Sequence, residues 1–339
     1  MSALSIGLLG CGRVGRNLVR ILRDSPEIEV RAIQDRAEAS QVEYLLKFDS
    51  LLGRFPDPIR LDGESLVVGG RPIALLPADA APDWRALGVD VVVLATGRPT
   101  PRAEADGHLA RGAGRVVLCT PLVEPADATV VFGVNQASLA PSHRVISVGS
   151  VTTNCAAPVL KVLAGSFGIE RAFLTTVHAY GANLALADVP AEDMRSGRAA
   201  AENIIPQPTN ADELIAELLP ELAGRISGMS MNVPVSNGSV VDLTCWHPRP
   251  VTAEEINAAL AAACDGPLAG VIRYETEPIV SSDVLHSTYS GTFDSLSTMT
   301  VGGRVSKTLT FYDNAWGYAH RVVELLGKLA GFAAEETRG

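Results

Sequence analysis

Residues 4–16 read LSIGLLGCGRVGR, and this stretch predicts the fold of the first part of the chain. The run before Gly10 is apolar and predicts a buried strand, and residues 13–22 carry apolar side chains at helical spacing. Between strand and helix, Gly10, Gly12 and Gly15 form the pattern G-x-G-x-x-G. A strand, a tight glycine turn and a helix in this order are typical of a dinucleotide-binding site, where a pyrophosphate approaches the helix N-terminus.

A carboxylate follows at the position that such a site requires. Asp35 stands 20 residues after Gly15, at the end of a second predicted strand, where it can accept hydrogen bonds from an adenosine ribose. A carboxylate there repels a 2′-phosphate, so NAD is favoured over NADP. The neighbouring Arg36 could pair with that phosphate, which keeps NADP as an alternative. A glycine turn that only packs a helix on a sheet is a further alternative.

The composition indicates a folded protein of two domains. The chain has 339 residues, of which 47% are hydrophobic and 19% are charged, and this length exceeds what one hydrophobic core usually holds. The formal net charge of -10 opposes binding to nucleic acid or to an anionic membrane surface. No basic leader precedes an apolar run and no apolar run reaches about 18 residues, so a cytoplasmic location is expected.

The cysteines and histidines do not follow metal-binding patterns. The five cysteines include no C-x-x-C pair, and the six histidines do not fall at the spacings of metal ligands. We therefore expect reduced thiols and no metal site.

The remaining patterns predict further helices and strands. Residues 129–134 read as one of several short β-branched strands that alternate with helices, which predicts a parallel sheet. Residues 153–163 read as a helix, and the alternating apolar runs after it suit a mostly antiparallel sheet. Residues 316–329 read as an amphipathic helix.

The sequence resembles the glyceraldehyde-3-phosphate dehydrogenase family nearly from end to end. The resemblance implies an α/β fold, with an N-terminal Rossmann domain of residues 1–149 and 315–339 and an α+β C-terminal domain of residues 150–314 that carries catalysis. It also implies a homotetramer. The motifs that carry it are Gly10 to Arg16, Phe48-Asp49-Ser50, Ala95-Thr96-Gly97, Gly133-Val134-Asn135, Ser150 to Cys155, Thr175 to Ala179, Asn203 to Pro206, Ser239 to Thr244 and Tyr312 to Tyr318.

The resemblance also implies which residues bind the cofactor. Asn314 corresponds to the residue that holds the nicotinamide amide. The whole implied NAD site comprises Gly10, Gly12, Arg13, Val14, Gly15, Asp35, Thr96, Gly97, Thr120 and Asn314.

One residue differs from the central motif of the family. The family motif reads S-C-T-T-N-C and its first cysteine is the nucleophile, whereas this chain reads S-V-T-T-N-C with Val151 in that place. A valine has no lone pair to form a thiohemiacetal or a thioester, and loss of a nucleophile can lower kcat by a factor on the order of 10⁶. His178, the base that pairs with the cysteine in the family, is retained. Cys155 is expected to pack in the core rather than to react.

Positions that the resemblance associates with anion binding differ as well. Asn232 replaces an arginine, Gly181 replaces a threonine, and T-G-A-A becomes Thr209-Asn210-Ala211-Asp212. Each change removes donors that would bind a phosphate. The expected substrate pocket comprises Ser150, Val151, Thr152, Gly181, Arg195, Thr209, Asn210 and Asn232.

Two functions from different classes fit these observations. The first is a divergent NAD-dependent oxidoreductase that is not phosphorylating, transfers hydride without a covalent step to or from an altered small-molecule substrate, and uses His178 as general acid or base. The alternative is a catalytically silent NAD-binding paralogue with a regulatory or structural role. The intact glycine motif together with Asn314 and His178 favours the enzyme.

Overall fold

The computed structural model describes residues 3–119 and 123–336. The chain divides into two compact units. The first comprises Met1–Val130, Ala137–Gly149 and Ala319–Gly339, and the second comprises Val131–Gln136 and Ser150–Tyr318. Within the described ranges, no helix is long and apolar enough to cross a membrane.

The first unit is built on a nine-stranded sheet in the order β10-β11-β9-β8-β1-β2-β7-β6-β5. All neighbours from β10 to β7 are parallel, and β5, β6 and β7 form an antiparallel edge. The central strands are buried along their whole length, because helices on both faces of a parallel sheet require apolar side chains on both. The strands of this unit are β1 Leu4–Leu9, β2 Ile28–Asp35, β3 Phe48–Asp49, β4 Gly53–Arg54, β5 Ile59–Asp62, β6 Ser65–Val68, β7 Arg71–Pro77, β8 Val91–Leu94, β9 Arg115–Leu118, β10 Ala128–Thr129 and β11 Val145–Ser147.

Three helices connect these strands: α1 Arg13–Leu22, α2 Ala39–Lys47 and α3 Arg102–Ala110. Trp84 is fully buried in the core cluster of this sheet, and its Nε1 donates a hydrogen bond to His108 Nδ1 over 3.0 Å. The predicted opening of strand, glycine turn and helix is confirmed, and so is the α/β fold of the first part of the chain.

The second unit contains a seven-stranded sheet in the order β13-β14-β12-β15-β18-β17-β16. The β12–β14 and β16–β17 pairs are parallel and the other pairs are antiparallel, which confirms the predicted, mostly antiparallel sheet. Helices α4 and α6 pack against it. The elements are α4 Val151–Phe167, β12 Arg171–Ala179, β13 Ile205–Gln207, α5 Ala211–Leu218, β14 Ile226–Val233, β15 Ser239–Trp246, α6 Ala253–Cys264, β16 Ile272–Glu275, β17 Gly291–Val301, β18 Val305–Tyr312 and α7 Trp316–Glu336, whose residues from Ala319 onward belong to the first unit.

Two predicted elements differ in extent from the observed ones. Helix α4 begins two residues before the predicted start, because the Ser150 side chain caps it there, and it runs on to Phe167. The predicted strand at 129–134 is wrong beyond Thr129. Asn135 Oδ1 accepts a hydrogen bond from the backbone N–H of Val131, which closes a turn instead.

Candidate active site and cofactor-binding turn

The three glycines of the N-terminal turn have different physical roles. Gly10 has φ +91°, and a Cβ on it would lie 2.6 Å from the Ala95 carbonyl oxygen. A Cβ on Gly15 would lie 2.2 Å from the Gly10 carbonyl oxygen, so both positions exclude a side chain. A Cβ on Gly12 would meet no described atom within 4 Å, which leaves open space before the first turn of α1.

This open space is suited to an anion. No described side chain caps α1 at Gly12, so the first backbone N–H groups of the helix remain available to a ligand. Unsatisfied donors and the positive end of the helix dipole attract phosphate groups. The turn therefore fits the pyrophosphate of a dinucleotide.

A groove of about 510 Å³ continues from this turn within the first unit, and Asp35 and Thr96 line it. The Asp35 carboxylate accepts hydrogen bonds from the backbone N–H of Cys11 at 2.5 Å and of Ala37 at 2.8 Å, which hold it in place. Its oxygens keep further lone pairs for ribose hydroxyls. Thr96 Oγ1 is buried and has no hydrogen-bond partner among the described residues, as expected of a group that a bound ligand would satisfy.

The other cofactor candidates of this unit surround the same turn. Arg13 and Val14 are half-buried in the first turn of α1, and Gly97 follows Thr96 with φ +74°. Thr120 lies outside the described residues.

Arg16 stabilises the turn through contacts that were not predicted from the sequence. Its guanidinium donates to Asp49 Oδ2 at 3.2 Å and to the Cys11 carbonyl oxygen at 3.2 Å. This contact gives the Phe48-Asp49-Ser50 motif a structural role. A signal was present in the sequence, since Arg16 and Asp49 both belong to motifs of the resemblance.

In the second unit, His178 lies near the end of β12 with a defined tautomer. Its Nδ1 lies 2.5 Å from the Ala179 carbonyl oxygen and 3.3 Å from Asn314 Nδ2. A carbonyl oxygen only accepts, so the shorter contact requires a proton on Nδ1. In the neutral ring the lone pair is then on Nε2, and this nitrogen is the one that can take a proton from a substrate.

Asn314 is buried next to His178 and is held by its neighbours. Its Oδ1 accepts a hydrogen bond from Ser239 Oγ over 2.6 Å, and Ser239 Oγ in turn accepts from the backbone N–H of Ala179. Asn314 Nδ2 donates to the Ala179 carbonyl oxygen over 3.4 Å. A carbonyl oxygen has two lone pairs, so Asn314 Oδ1 can accept one more donor, such as a carboxamide N–H.

The first turn of α4 places Ser150, Val151 and Thr152. Ser150 Oγ accepts from the backbone N–H of Thr153 over 3.0 Å, and Val151 is the first residue of the helix. Thr152 Oγ1 lies 3.2 Å from the hydroxyl of Tyr312, whose ring centroid is 6.1 Å from that of His178. Tyr312 thus joins the turn that holds Val151 to the strand that holds His178.

Burial keeps the Tyr312 phenol and the cysteine thiols of the second unit neutral. It raises the pKa of the Tyr312 phenol to about 12, so the hydroxyl bridges Thr152 and Thr176 as a neutral group. Burial also raises the pKa of Cys155, of Cys245 to about 12 and of Cys264 to about 11. The described part of the second unit therefore offers no thiolate near neutral pH, and Cys155 packs in the core as expected.

The positions that the resemblance associates with anion binding form hydrogen bonds with neutral groups of the protein. Asn232 is the register partner of His178 in the parallel β12–β14 pair, and its Nδ2 donates to Gln207 Oε1 over 2.9 Å. Asp212 Oδ2 accepts from the backbone N–H of Gly228, and Thr209 Oγ1 accepts from that of Ala211. Their donors and acceptors are therefore at least partly used within the protein.

The remaining candidates of the substrate pocket lie apart from this network. Gly181 is half-buried in the turn after β12, while Arg195 and Asn210 are exposed. Within 3–119 and 123–336, no hydrogen bond or ion pair joins Arg195 to the side chains of Val151, His178 or Asn232.

Comparison with known proteins assigns the chain to a family. A sequence model for "Glyceraldehyde 3-phosphate dehydrogenase, NAD binding domain" matches residues 4–102, and one for the "C-terminal domain" of the same enzyme matches residues 150–314. The chain belongs to the glyceraldehyde-3-phosphate dehydrogenase family. Membership confirms the resemblance, the fold class and NAD as the cofactor of the N-terminal domain.

Named relatives match along almost the whole chain. Glyceraldehyde-3-phosphate dehydrogenase of Geobacillus stearothermophilus is 46% identical over 332 residues, which cover 97% of this chain and 98% of the relative. Glyceraldehyde-3-phosphate dehydrogenase 1 of Bacillus subtilis (strain 168) is 44% identical with the same coverage. That of Mycobacterium leprae (strain TN) is 43% identical over 95% of this chain and 97% of its own length.

The sequence patterns did not predict the residues that hold the Asn314 and Asn232 side chains in place. Ser239 lies on the buried face of β15 together with Val241, Leu243 and Cys245. A polar residue among apolar ones on a core face indicates a hydrogen bond that must be satisfied there. Gln207 and Ser196 carried no comparable signal, because both are only half-buried and do not interrupt an apolar core face.

Proposed function

We propose that this member of the glyceraldehyde-3-phosphate dehydrogenase family is an NAD-dependent oxidoreductase that does not phosphorylate and transfers hydride without a covalent intermediate. The proposal rests above all on His178, which is anchored through Nδ1 and presents Nε2 as a base. The turn beside it carries Val151 where the resemblance expects the nucleophilic cysteine. This pair of features suits proton transfer and not thioester chemistry.

The protein's own residues supply the proton step. When an alcohol is oxidised, His178 Nε2 takes the hydroxyl proton and the carbon-bound hydrogen leaves as hydride. When a carbonyl or imine is reduced, the protonated His178 donates the proton instead. NAD, when bound, accepts or supplies the hydride.

The site assignments are part of the same proposal. His178 is the catalytic residue, Asn314 binds the nicotinamide carboxamide, and Asp35 binds the adenosine ribose. The domains extend over 1–149 with 315–339 and over 150–314. Family resemblance and composition further support a homotetramer in the cytoplasm. The proposed substrate pocket comprises Ser150, Val151, Thr152, Gly181, Arg195, Thr209, Asn210 and Asn232.

The test begins with titration of the cofactor-stripped protein with NAD and, in parallel, with NADP. We expect micromolar binding of NAD, about -8 kcal/mol, and weaker binding of NADP. The NAD-loaded protein is then screened with alcohols, and the NADH-loaded protein with aldehydes and imines, by the absorbance of NADH. We expect turnover of at least one class and no formation of an acyl phosphate from glyceraldehyde 3-phosphate.

Two outcomes would contradict the proposal. If neither dinucleotide binds, the oxidoreductase function is wrong. If NAD binds but no compound of the three classes is turned over, the catalytically silent paralogue replaces it.

A further inference from the structure

A chain of hydrogen bonds leads from Asn232 to a carboxylate at the surface. Asn232 Nδ2 donates to Gln207 Oε1 over 2.9 Å, and Gln207 Nε2 donates to Ser196 Oγ over 2.8 Å. The Ser196 hydroxyl donates to Asp193 Oδ2 over 2.5 Å. All four residues belong to the second unit.

The carboxylate sets the direction of the whole chain. Hydrogen bonds from Ser196 and from the backbone N–H of Arg195 hold the pKa of Asp193 below its usual value, so Asp193 is ionised and can only accept. Ser196 must then give its hydroxyl proton to Asp193 and accept from the amide nitrogen of Gln207. The Gln207 oxygen therefore faces Asn232 and accepts from the Asn232 nitrogen.

The end of the chain is the Asn232 side-chain oxygen, to which no described side chain donates. Because Asn232 turns its nitrogen to Gln207, its Oδ1 is directed away from that partner. Asn232 is more than nine-tenths buried, and within the described residues its Oδ1 accepts no side-chain hydrogen bond. This oxygen is not among the fully buried side-chain atoms that lack a partner, so it is open to solvent or to a ligand that supplies a donor.

Asn232 lies on the strand next to that of the proposed base, His178. Asn232 and His178 are direct register partners in the parallel β12–β14 pair, so their side chains leave the sheet on the same face. The strand spacing of about 4.8 Å separates the backbones of the two residues, so a molecule that gives its proton to His178 meets the face of the sheet that carries Asn232.

We propose that Asn232 forms an acceptor subsite beside His178 that takes a hydroxyl or ammonium group of the substrate and rejects a phosphate. The inference rests on the proposed function, since it places the substrate at His178. A phosphate dianion offers acceptors to an acceptor and carries charge into a buried site without a matching donor. A hydroxyl or ammonium group supplies the missing proton, so the substrate class is a hydroxy or amino compound without phosphate.

Four small molecules that differ only at carbon 3 test the subsite. Propane-1,2-diol, glycerol, 3-aminopropane-1,2-diol and glycerol 3-phosphate carry a methyl, a hydroxyl, an ammonium and a phosphate group there. Each is titrated into the NAD-loaded full-length protein by calorimetry. We expect glycerol or the aminodiol to bind about threefold to tenfold more tightly than propane-1,2-diol, which is the value of one hydrogen bond, and glycerol 3-phosphate to bind most weakly. The tighter of the two donors identifies the group.

Variants of the chain connect the ranking to the hydrogen bonds. Asn232→Leu removes the acceptor and should abolish the preference for glycerol over propane-1,2-diol. Ser196→Ala is a milder change at a half-buried residue. It releases the amides to turn, so the discrimination against glycerol 3-phosphate should fall. Ser297→Ala is the matched control, because Ser297 Oγ also donates to a carboxylate at 2.5 Å, that of Asp294 on β17, and this variant should keep the ranking of the wild type.

Several results would overturn the subsite. Tightest binding of glycerol 3-phosphate, equal binding of glycerol, the aminodiol and propane-1,2-diol, or binding of none of the four would each contradict it. An unchanged ranking in both Asn232→Leu and Ser196→Ala would do so as well. Because the readout is binding, failure of the proposed function would appear separately, as a normal ranking without any hydride transfer.

Discussion

The glycine turn of the first unit and the surroundings of His178 in the second differ in whether their polar groups have partners within the protein. At the turn, Gly12 faces open space, the first N–H groups of α1 lack a side-chain cap, and Thr96 Oγ1 is buried without a described partner. Around His178, hydroxyls and amides bind one another, as Ser239 binds Asn314 and Gln207 binds Asn232.

This difference indicates that the turn of the first unit is suited to a ligand of known type. Open donors and an orphaned hydroxyl are costly without a ligand, so their presence indicates that NAD completes the first unit. In the second unit Asn232, which the resemblance aligns with an arginine, donates to Gln207, and we propose that its Oδ1 binds a ligand. We infer that the cofactor site has kept the chemistry of the family and that the substrate site has changed.

Gly15→Ala is expected to impair both folding and cofactor binding, and it tests how strictly the cofactor turn is built. The new Cβ would lie 2.2 Å from a backbone oxygen that cannot move aside, so we expect NAD affinity to fall more than about 100-fold and stability to fall by several kcal/mol. Calorimetric titration and thermal unfolding measure the two effects.

Two other glycines serve as controls for this change. Gly12→Ala should fold normally and still weaken NAD binding, since its methyl group projects into the space left for the pyrophosphate. Gly165→Ala lies within α4, where a Cβ meets no described atom, and should leave NAD affinity unchanged. Wild-type NAD affinity in Gly15→Ala would refute the steric role of this glycine.

His178→Asn tests the second region. An asparagine can keep the donor to the Ala179 carbonyl oxygen but lacks the atom that corresponds to Nε2. We expect kcat to fall by about 10² to 10⁴ on any substrate found by the screen, the pH dependence of kcat due to this residue to disappear, and NAD affinity to stay the same. Steady-state rates across a pH series measure this. Unchanged activity would remove the general acid or base role from His178.

His108 provides a further test within the first unit. It lines the cofactor groove, but it already accepts a hydrogen bond from Trp84. Burial and the nearby Arg111 lower the pKa of His108 from 6.5 to about 4. The unfolded chain therefore binds more protons between these values, and the folded state loses up to about 3 kcal/mol as the pH falls from 6.5 to 4.

The variant His108→Asn keeps an acceptor for Trp84 but does not titrate in this range. Its unfolding midpoint should fall less steeply than that of the wild type as the pH is lowered through that window. Identical pH dependence of the two proteins would contradict the assignment.

The smallest expected effect is that of Val151→Cys. The variant regains a thiol at the first turn of α4, but Asn232 still stands in place of the arginine. We therefore expect iodoacetamide to label the new thiol faster than the buried Cys155, and turnover of glyceraldehyde 3-phosphate to stay near the wild-type background. Rates near those of other family members would show that the anion sites still work.

Much of the first unit could be predicted because its signals are local. Gly10 to Gly15 form one turn, and Asp35 ends the next strand, so a short stretch of chain carries the whole pattern. The network at Asn232 could not be predicted in the same way. Gln207 is 25 residues from Asn232 and 11 from Ser196, and the pairing of β13 with β14 brings the first two together.

The sequence alone indicated the family and the cofactor, and it predicted that Val151 stands at the nucleophile position, because these inferences depend on which atoms a residue has. A missing Cβ at Gly12 or a missing sulfur at Val151 is visible without coordinates. The tertiary structure decided which nitrogen of His178 holds the proton and which atom of Asn232 remains available. Those properties depend on the hydrogen-bond partners of each group, and only the folded sheet and the loop that contains Ser196 supply these partners.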